Sequence, residues 1–280
     1  MKAIIRNTSL VLTLTLGFVS CTKETLHVEE TPKAVPAALP GEASIVQSPA
    51  KTYRLLRHGG DSLAYYNDGR LASSGHKKYR FVTYNYGFNT IIAKSYYYGN
   101  AKPSQEDTYS LEVSSGRAYQ VVQKRFFSDG TADVRTYKFQ YDALGRLVKR
   151  YNASKPVDRI DYEYDAAGDL VSTWHYGEQG QYGHRMIYFY RFGTEAKIQN
   201  RVKLNHSQAG VELYLDIFGT GWKNAPKFYR TLANGKIFKD VNCTYKLNAD
   251  GFPITRTLTD ITDPQHPKSP VVYHYGYQIL

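Results

Sequence analysis

The chain has 280 residues, 36 of them Lys or Arg against 25 Asp or Glu, for a formal charge of +11; 26 are tyrosine. The positive balance favours an anionic polysaccharide, a lipopolysaccharide phosphate or an acidic protein surface. The basic residues are scattered rather than massed on one segment, which argues against a nucleic-acid partner.

In chain order, Lys2 and Arg6 precede the apolar run Ser9–Phe18, with small residues after it. A basic start, a short apolar core and a small-residue cleavage point predict a secretory signal over 1–20, too short to span a bilayer as a helix. The stretch Phe-Val-Ser-Cys, Phe18 to Cys21, resembles the bacterial lipobox, with Phe18 in place of the usual Leu. That resemblance implies that Cys21 becomes the acylated first residue of an outer-membrane lipoprotein, held by palmitate-like chains at roughly 0.8 kcal/mol per buried methylene. The alternative is an ordinary secreted protein with a cysteine at its cleavage point by chance. If Cys21 is acylated, Cys243 has no disulfide partner, and its place in a strand-like run predicts a buried, inert thiol.

Residues 21–50 carry four prolines and no lasting hydrophobic period, the composition of an extended, flexible tether. From 51 to 280 the chain reads as one β domain. Tyr137, Phe139 and Tyr141 alternate with Lys138 and Gln140; Tyr162 and Tyr164 alternate with Asp161 and Glu163; Tyr273, Tyr275 and Tyr277 alternate with His274 and Gly276. This period of two means half-buried antiparallel strands. Turn signals recur between them, at Asn67–Arg70, Ser128–Thr131, Asp142–Arg146, Asp165–Asp169, Ala233–Lys236 and Asn248–Phe252. The fold expected is all-β, a long antiparallel meander of about 14 to 18 strands curled into an open or incomplete barrel filled with Tyr and Phe, since open sheets rarely exceed about ten strands.

The run Tyr141-Asp142-Ala143-Leu144-Gly145-Arg146-Leu147 resembles the tyrosine-aspartate repeat of Rhs and teneurin proteins. A second copy keeps Tyr164, Asp165, Gly168 and Leu170 but has Asp169 where the family has Arg. With the lipobox and the tether, the whole is similar to bacteroidete lipoproteins of unknown function, which implies tyrosine-aspartate hairpins in a porin-like or half-barrel β domain. Physically, the Asp of each copy can accept backbone N–H bonds and the Gly supplies the positive φ of a tight loop. Asp142, Asp165 and Asp250 are therefore expected to shape turns rather than to act as acid, base or metal ligand.

No nucleophile elbow, zinc-protease helix, Cys pair or phosphate loop occurs, and no cofactor is expected. His175 and His184 could meet across a hairpin, with Glu178 as a third zinc ligand, although cross-strand polar neighbours need no metal. The Gly- and aromatic-rich stretches around Trp174, Tyr176 and Tyr182 and around Trp222 are the candidate ligand-binding residues, because flat rings beside polar groups suit a sugar or peptide; the alternative is that both tryptophans plug the open edge of a curled sheet. The function expected is a non-catalytic, lipid-anchored cell-envelope module that binds glycan or protein. The alternatives are a structural or assembly component without a small ligand, and a polysaccharide hydrolase whose carboxylates the sequence does not reveal.

Overall fold

The computed structural model describes residues 51–76, 78–190, 196–205, 210–220 and 222–280. The expected signal, Cys21 and the tether lie outside the described residues.

The alternating segments become strands. β1 (Tyr53–His58), β2 (Asp61–Tyr65), β3 (Leu71–His76), β4 (Arg80–Gly87), β5 (Thr90–Tyr97) and β6 (Gln105–Leu111) come first. They are followed by β7 (Ala118–Phe126), β8 (Ala132–Tyr141), β9 (Leu147–Asn152), β10 (Arg159–Tyr164), β11 (Leu170–Tyr176) and β12 (Tyr182–Phe189). A long connection then holds the two-residue strands β13 (Ile198–Gln199) and β14 (Asn224–Ala225). β15 (Phe228–Ala233), β16 (Lys236–Leu247), β17 (Pro253–Asp260) and β18 (Val271–Ile279) complete the chain.

β13 and β14 pair with each other, and the other 16 strands form a closed barrel in which β1 pairs antiparallel with β18, Tyr53 opposite Ile279 and His58 opposite Tyr275. The expectation of an open or incomplete barrel is thus overturned. A sheet of this length must curl, and joining its two edge strands satisfies the backbone N–H and C=O groups that an open edge would leave unpaired.

The alternation read from the sequence sorts the wall into two faces. Tyr84, Ile91, Ala93, Tyr109, Val121, Tyr137, Phe139 and Tyr162 point inward and are buried. The opposite rows carry charge: Lys94 pairs with Glu106 at 3.1 Å, Arg159 with Asp161 at 2.8 Å, Arg185 with Glu163 at 3.2 Å and Arg230 with Asp240 at 2.7 Å.

One device recurs at one rim. The tyrosine near the end of a strand donates its hydroxyl to a carbonyl near the start of the preceding wall strand: Tyr65 to Leu55, Tyr86 to Leu71, Tyr141 to Ala118, Tyr164 to Leu147 and Tyr190 to Leu170. Tyr245 to Pro226 and Tyr277 to Pro253 continue the series on the last two hairpins. Each ring lies against the sheet while its polar end is satisfied, which is how a buried tyrosine is stabilised. The turns at this rim behave as local chemistry dictates. Asp142 Oδ1 accepts from the N–H groups of Leu144 and Arg146, at 3.0 and 2.9 Å, and Asp165 Oδ1 accepts from Asp169 at 2.9 Å. At the next such turn Asn248 takes this part, accepting from Asp250 and Phe252. Asp250 instead accepts from the Tyr53 hydroxyl.

Sixteen strands enclose a lumen too wide for wall side chains alone to fill. The connection between β12 and β15 enters it from the tyrosine rim as a plug. Leu215, Ile217, Phe218 and Trp222 of this segment are buried in the same core as the inward wall residues. The plug touches the wall all round: Ala118 N–H donates to Ile217 O at 2.8 Å, Thr220 N–H to Gly145 O at 3.0 Å, and Tyr84 OH to Glu212 at 2.8 Å.

Candidate functional site: the bowl at the far rim

At the far rim, opposite the ring of tyrosines, the lumen holds an open hollow. Asp61, Ser74, His76, Tyr79 and Arg80 wall a hollow of about 460 Å³ whose floor is Val211–Tyr214 of the plug. A second hollow of about 160 Å³ adjoins it, sharing Arg80, Val211 and Glu212 and adding Gln105, Asp107, Gln123 and Arg150. Together they form a bowl of the size and mixed lining typical of small-molecule sites, roughly 300–1,000 Å³.

Its polar groups are held by the wall. Ser74 donates to Tyr84 at 2.8 Å and Tyr84 donates on to Glu212, so one fully buried tyrosine orients the carboxylate on the floor. Both oxygens of Asp107 accept from Gln105 Nε2, at 3.0 and 2.8 Å. Burial raises the pKa of both carboxyls. Arg80 donates to Ser95 at 2.8 Å and remains exposed at the lip. Arg150 lies 3.6 Å over the Tyr137 ring with its Nε buried and unbonded.

The lip is aromatic. Tyr79, in the β3–β4 turn, is 71% exposed, and Tyr97 and Tyr98, at the end of β5, are 57% and 69% exposed. Tyr98 N–H donates to Tyr79 O at 2.9 Å, so the two turns adjoin. Just below on the outer wall, Phe81 and Tyr96 stack at 4.9 Å and 9°. Sequence reasoning passed over this lip; the run Tyr96-Tyr97-Tyr98-Gly99-Asn100 was its signal, three adjacent rings that alternation cannot bury together. The carboxylates Asp107 and Glu212 were missed too, because only the tertiary fold sets a plug residue beside β6.

The four aromatic residues singled out from the sequence part company. Trp174, Tyr176 and Tyr182 gather on the outer face of the β11–β12 hairpin, with Trp174 and Tyr182 5.8 Å apart edge to face and Tyr176 and Tyr182 at 6.4 Å. Their faces are already engaged: Arg185 stacks on Trp174 and Arg159 on Tyr176, each at 3.9 Å. Trp222 is instead buried in the plug, with φ +68°. His175 and His184 do meet, stacked at 3.9 Å, but Glu178 turns away to Arg135 and Lys155, at 2.7 and 3.1 Å. Among the described residues no cluster of three metal-ligating side chains occurs. Cys243 is buried and free, its thiol pushed up to about 12 by burial.

No protein-family profile and no curated protein matches this chain. Among solved structures it is similar to a porin-like protein from Bacteroides uniformis, 16% identical over 84% of this chain and 94% of that one, with a TM-score of 0.57. A porin-like protein from Bacteroides vulgatus is 14% identical over 81% of this chain and 99% of that one, with a TM-score of 0.43. The fold is that of a porin-like barrel.

Proposed function

We propose that the protein is a non-catalytic binding module of the cell envelope that holds a glycan in the far-rim bowl. The observation that carries this reading is the lip: exposed Tyr79 lines the hollow beside its hydrogen-bonding groups, and Tyr97 and Tyr98 are exposed on the adjoining turn. Sugar faces stack on such rings while polar neighbours fix orientation. Exposed Arg80 favours an acidic sugar, in keeping with the chain's positive charge. The charged rows of the outer wall suit water and not hydrocarbon, since lipid-facing barrel positions form an apolar band. In this reading the barrel stands clear of the bilayer, tethered through residues 21–50 to an acylated Cys21, and its turns at Asp142 and Asp165 are kin to tyrosine-aspartate repeats.

Glycan arrays and isothermal titration test it. Tyr79→Ala and Tyr98→Ala should each weaken binding about tenfold, the worth of one stacked ring, with Tm unchanged. Loss of binding in Trp174→Ala with Tyr79→Ala unaffected would move the site to the β11–β12 face, and an array without any hit would remove the reading.

A hydrolase is the second reading, favoured by one observation: Asp107 and Glu212 line the same hollow and both hold their protons more tightly than ordinary carboxyls. Against it, each accepts hydrogen bonds from wall residues, Glu212 from Tyr84 and Asp107 from Gln105, the mark of a satisfied structural acid. Release of reducing ends from a bound glycan, lost in Glu212→Gln, would decide for catalysis.

A further inference from the structure

A separate hollow of about 80 Å³ lies inside the barrel, between the plug and the β15–β18 wall. Arg256 of β17 lines it, and its charge is poorly matched. Nε is buried without a hydrogen-bond partner. Nη2 reaches His58 Nε2 at a long 3.5 Å, the guanidinium also hydrogen-bonds the Tyr245 hydroxyl, and Cζ lies 4.9 Å from the centre of the Tyr273 ring. The ionisable groups acting most strongly on it are Tyr245, Tyr273, Tyr275 and Cys243, all neutral at ordinary pH. Among the described residues no carboxylate makes an ion pair with it.

His58 does not supply the missing charge either. Tyr214 OH donates to Asp61 at 2.8 Å, so His58 Nδ1–H donates to the Tyr214 oxygen at 3.1 Å, which leaves a lone pair on Nε2 toward Arg256. Burial, and then Arg256 itself, lowers the His58 pKa to about 3, so the ring is neutral. Trp222 lines the same hollow from the plug.

Arg256 is partly buried, and an unpaired cation partly withdrawn from water is destabilising unless something supplies the counter-charge. We infer that Arg256 anchors an internal oxyanion site that takes phosphate or sulfate, free or as the end-group of a larger ligand. The guanidinium fork matches two oxygens of a tetrahedral anion at once. Size points the same way. A water needs about 10–15 Å³ of such space, so a hollow of about 80 Å³ admits about five heavy atoms, one phosphate or sulfate and not a sugar ring. The site lies apart from the bowl and does not depend on the glycan reading.

The test is titration of the full-length protein with inorganic phosphate, sulfate and glucose 1-phosphate, read by calorimetry and by melting. Because phosphate and sulfate strengthen apolar burial in any protein, the decisive quantity is the difference between wild type and Arg256→Gln. Saturable binding of one ion per chain is expected in the wild type, weakened at least about tenfold in Arg256→Gln. Without added ion, Arg256→Gln should melt at the same temperature or higher, since the uncompensated charge is gone. Arg256→Lys, which keeps the charge and loses the fork, should bind with intermediate affinity, and it carries the comparison should the glutamine variant not fold. Glucose 1-phosphate binding as tightly as phosphate would assign the site to an end-group; binding of the inorganic ions alone would assign it to a free ion. Equal affinity in wild type and variants, or no saturable heat with either ion, overturns the inference.

Discussion

Asn224 donates to both carboxylate oxygens of Asp169, at 2.8 and 3.0 Å, and Asp169 has no solvent exposure at all. Lys197 reaches the same carboxylate from the other end of the plug. A single acid on the barrel wall thus ties down both ends of the segment that fills the lumen. It is also the residue at which the second tyrosine-aspartate turn departs from the first, where Arg146 instead turns back to Asp142 at 2.7 Å.

Asp169→Ala should therefore loosen the plug as a unit. It removes the acceptor of a buried network and leaves Lys197 and Asn224 without it, a loss of roughly 2–4 kcal/mol. Chemical denaturation would measure the stability change, and limited proteolysis should cut within 196–225 before the barrel wall. Asp169→Arg, which restores the residue of the first turn, should be at least as damaging, because it sets like charges together at Lys197.

Gly219 is a second point of attachment. Its φ is +82°, and a Cβ there would lie 2.1 Å from Gly145 O, the oxygen that accepts from Thr220. Gly219→Ala combines a left-handed backbone with a backbone clash, and should cost roughly 2–4 kcal/mol by denaturant melt. Ala at Gly99, which has open space around it, should suffer only the smaller conformational penalty.

The tyrosine ring predicts a graded loss. Tyr164→Phe keeps the packing and removes the bond to Leu147 O, so stability should fall by about 1 kcal/mol. Tyr79→Phe, an exposed ring at the lip, should leave Tm unchanged.

Inward histidines set an acid limit. Burial lowers the pKa of His58 and of His175 to about 3 from the ordinary 6.5. The unfolded chain therefore takes up protons between pH 6.5 and about 3 that the folded barrel refuses, and stability falls across that window as pH falls. Asp107 and Glu212, with raised values, act in the opposite sense: the folded state binds the proton first, so acidification toward their ordinary range relieves a penalty. His175→Gln should flatten the slope of stability below pH 6.5, whereas Glu212→Gln should steepen it and raise Tm at neutral pH.

The corners and faces of this barrel were legible from the chain because they are local. Asp142 accepts from the N–H groups of Leu144 and Arg146 within its own turn, and Tyr137 and Phe139 share a face in any strand. Trp222 shows the boundary of that reasoning. Its Gly-rich surroundings admitted both an exposed binding loop and a ring plugging a curled sheet, and the buried place of Trp222 in the plug follows from the width of the lumen. The bowl was illegible for the same reason: Glu212, Asp107 and Arg80 come from separate stretches that only the plugged barrel brings together.

Order along the chain, the alternation of rings and charges, and the acid-and-glycine bends follow from interactions between neighbours a few residues apart. Whether the meander closes, what occupies its middle and which charges are left unmatched inside depend on contacts across nearly the whole length, as between Tyr53 and Ile279. Such contacts are decided by edge groups seeking partners and by empty volume seeking apolar atoms, conditions that exist only once all the strands are in place.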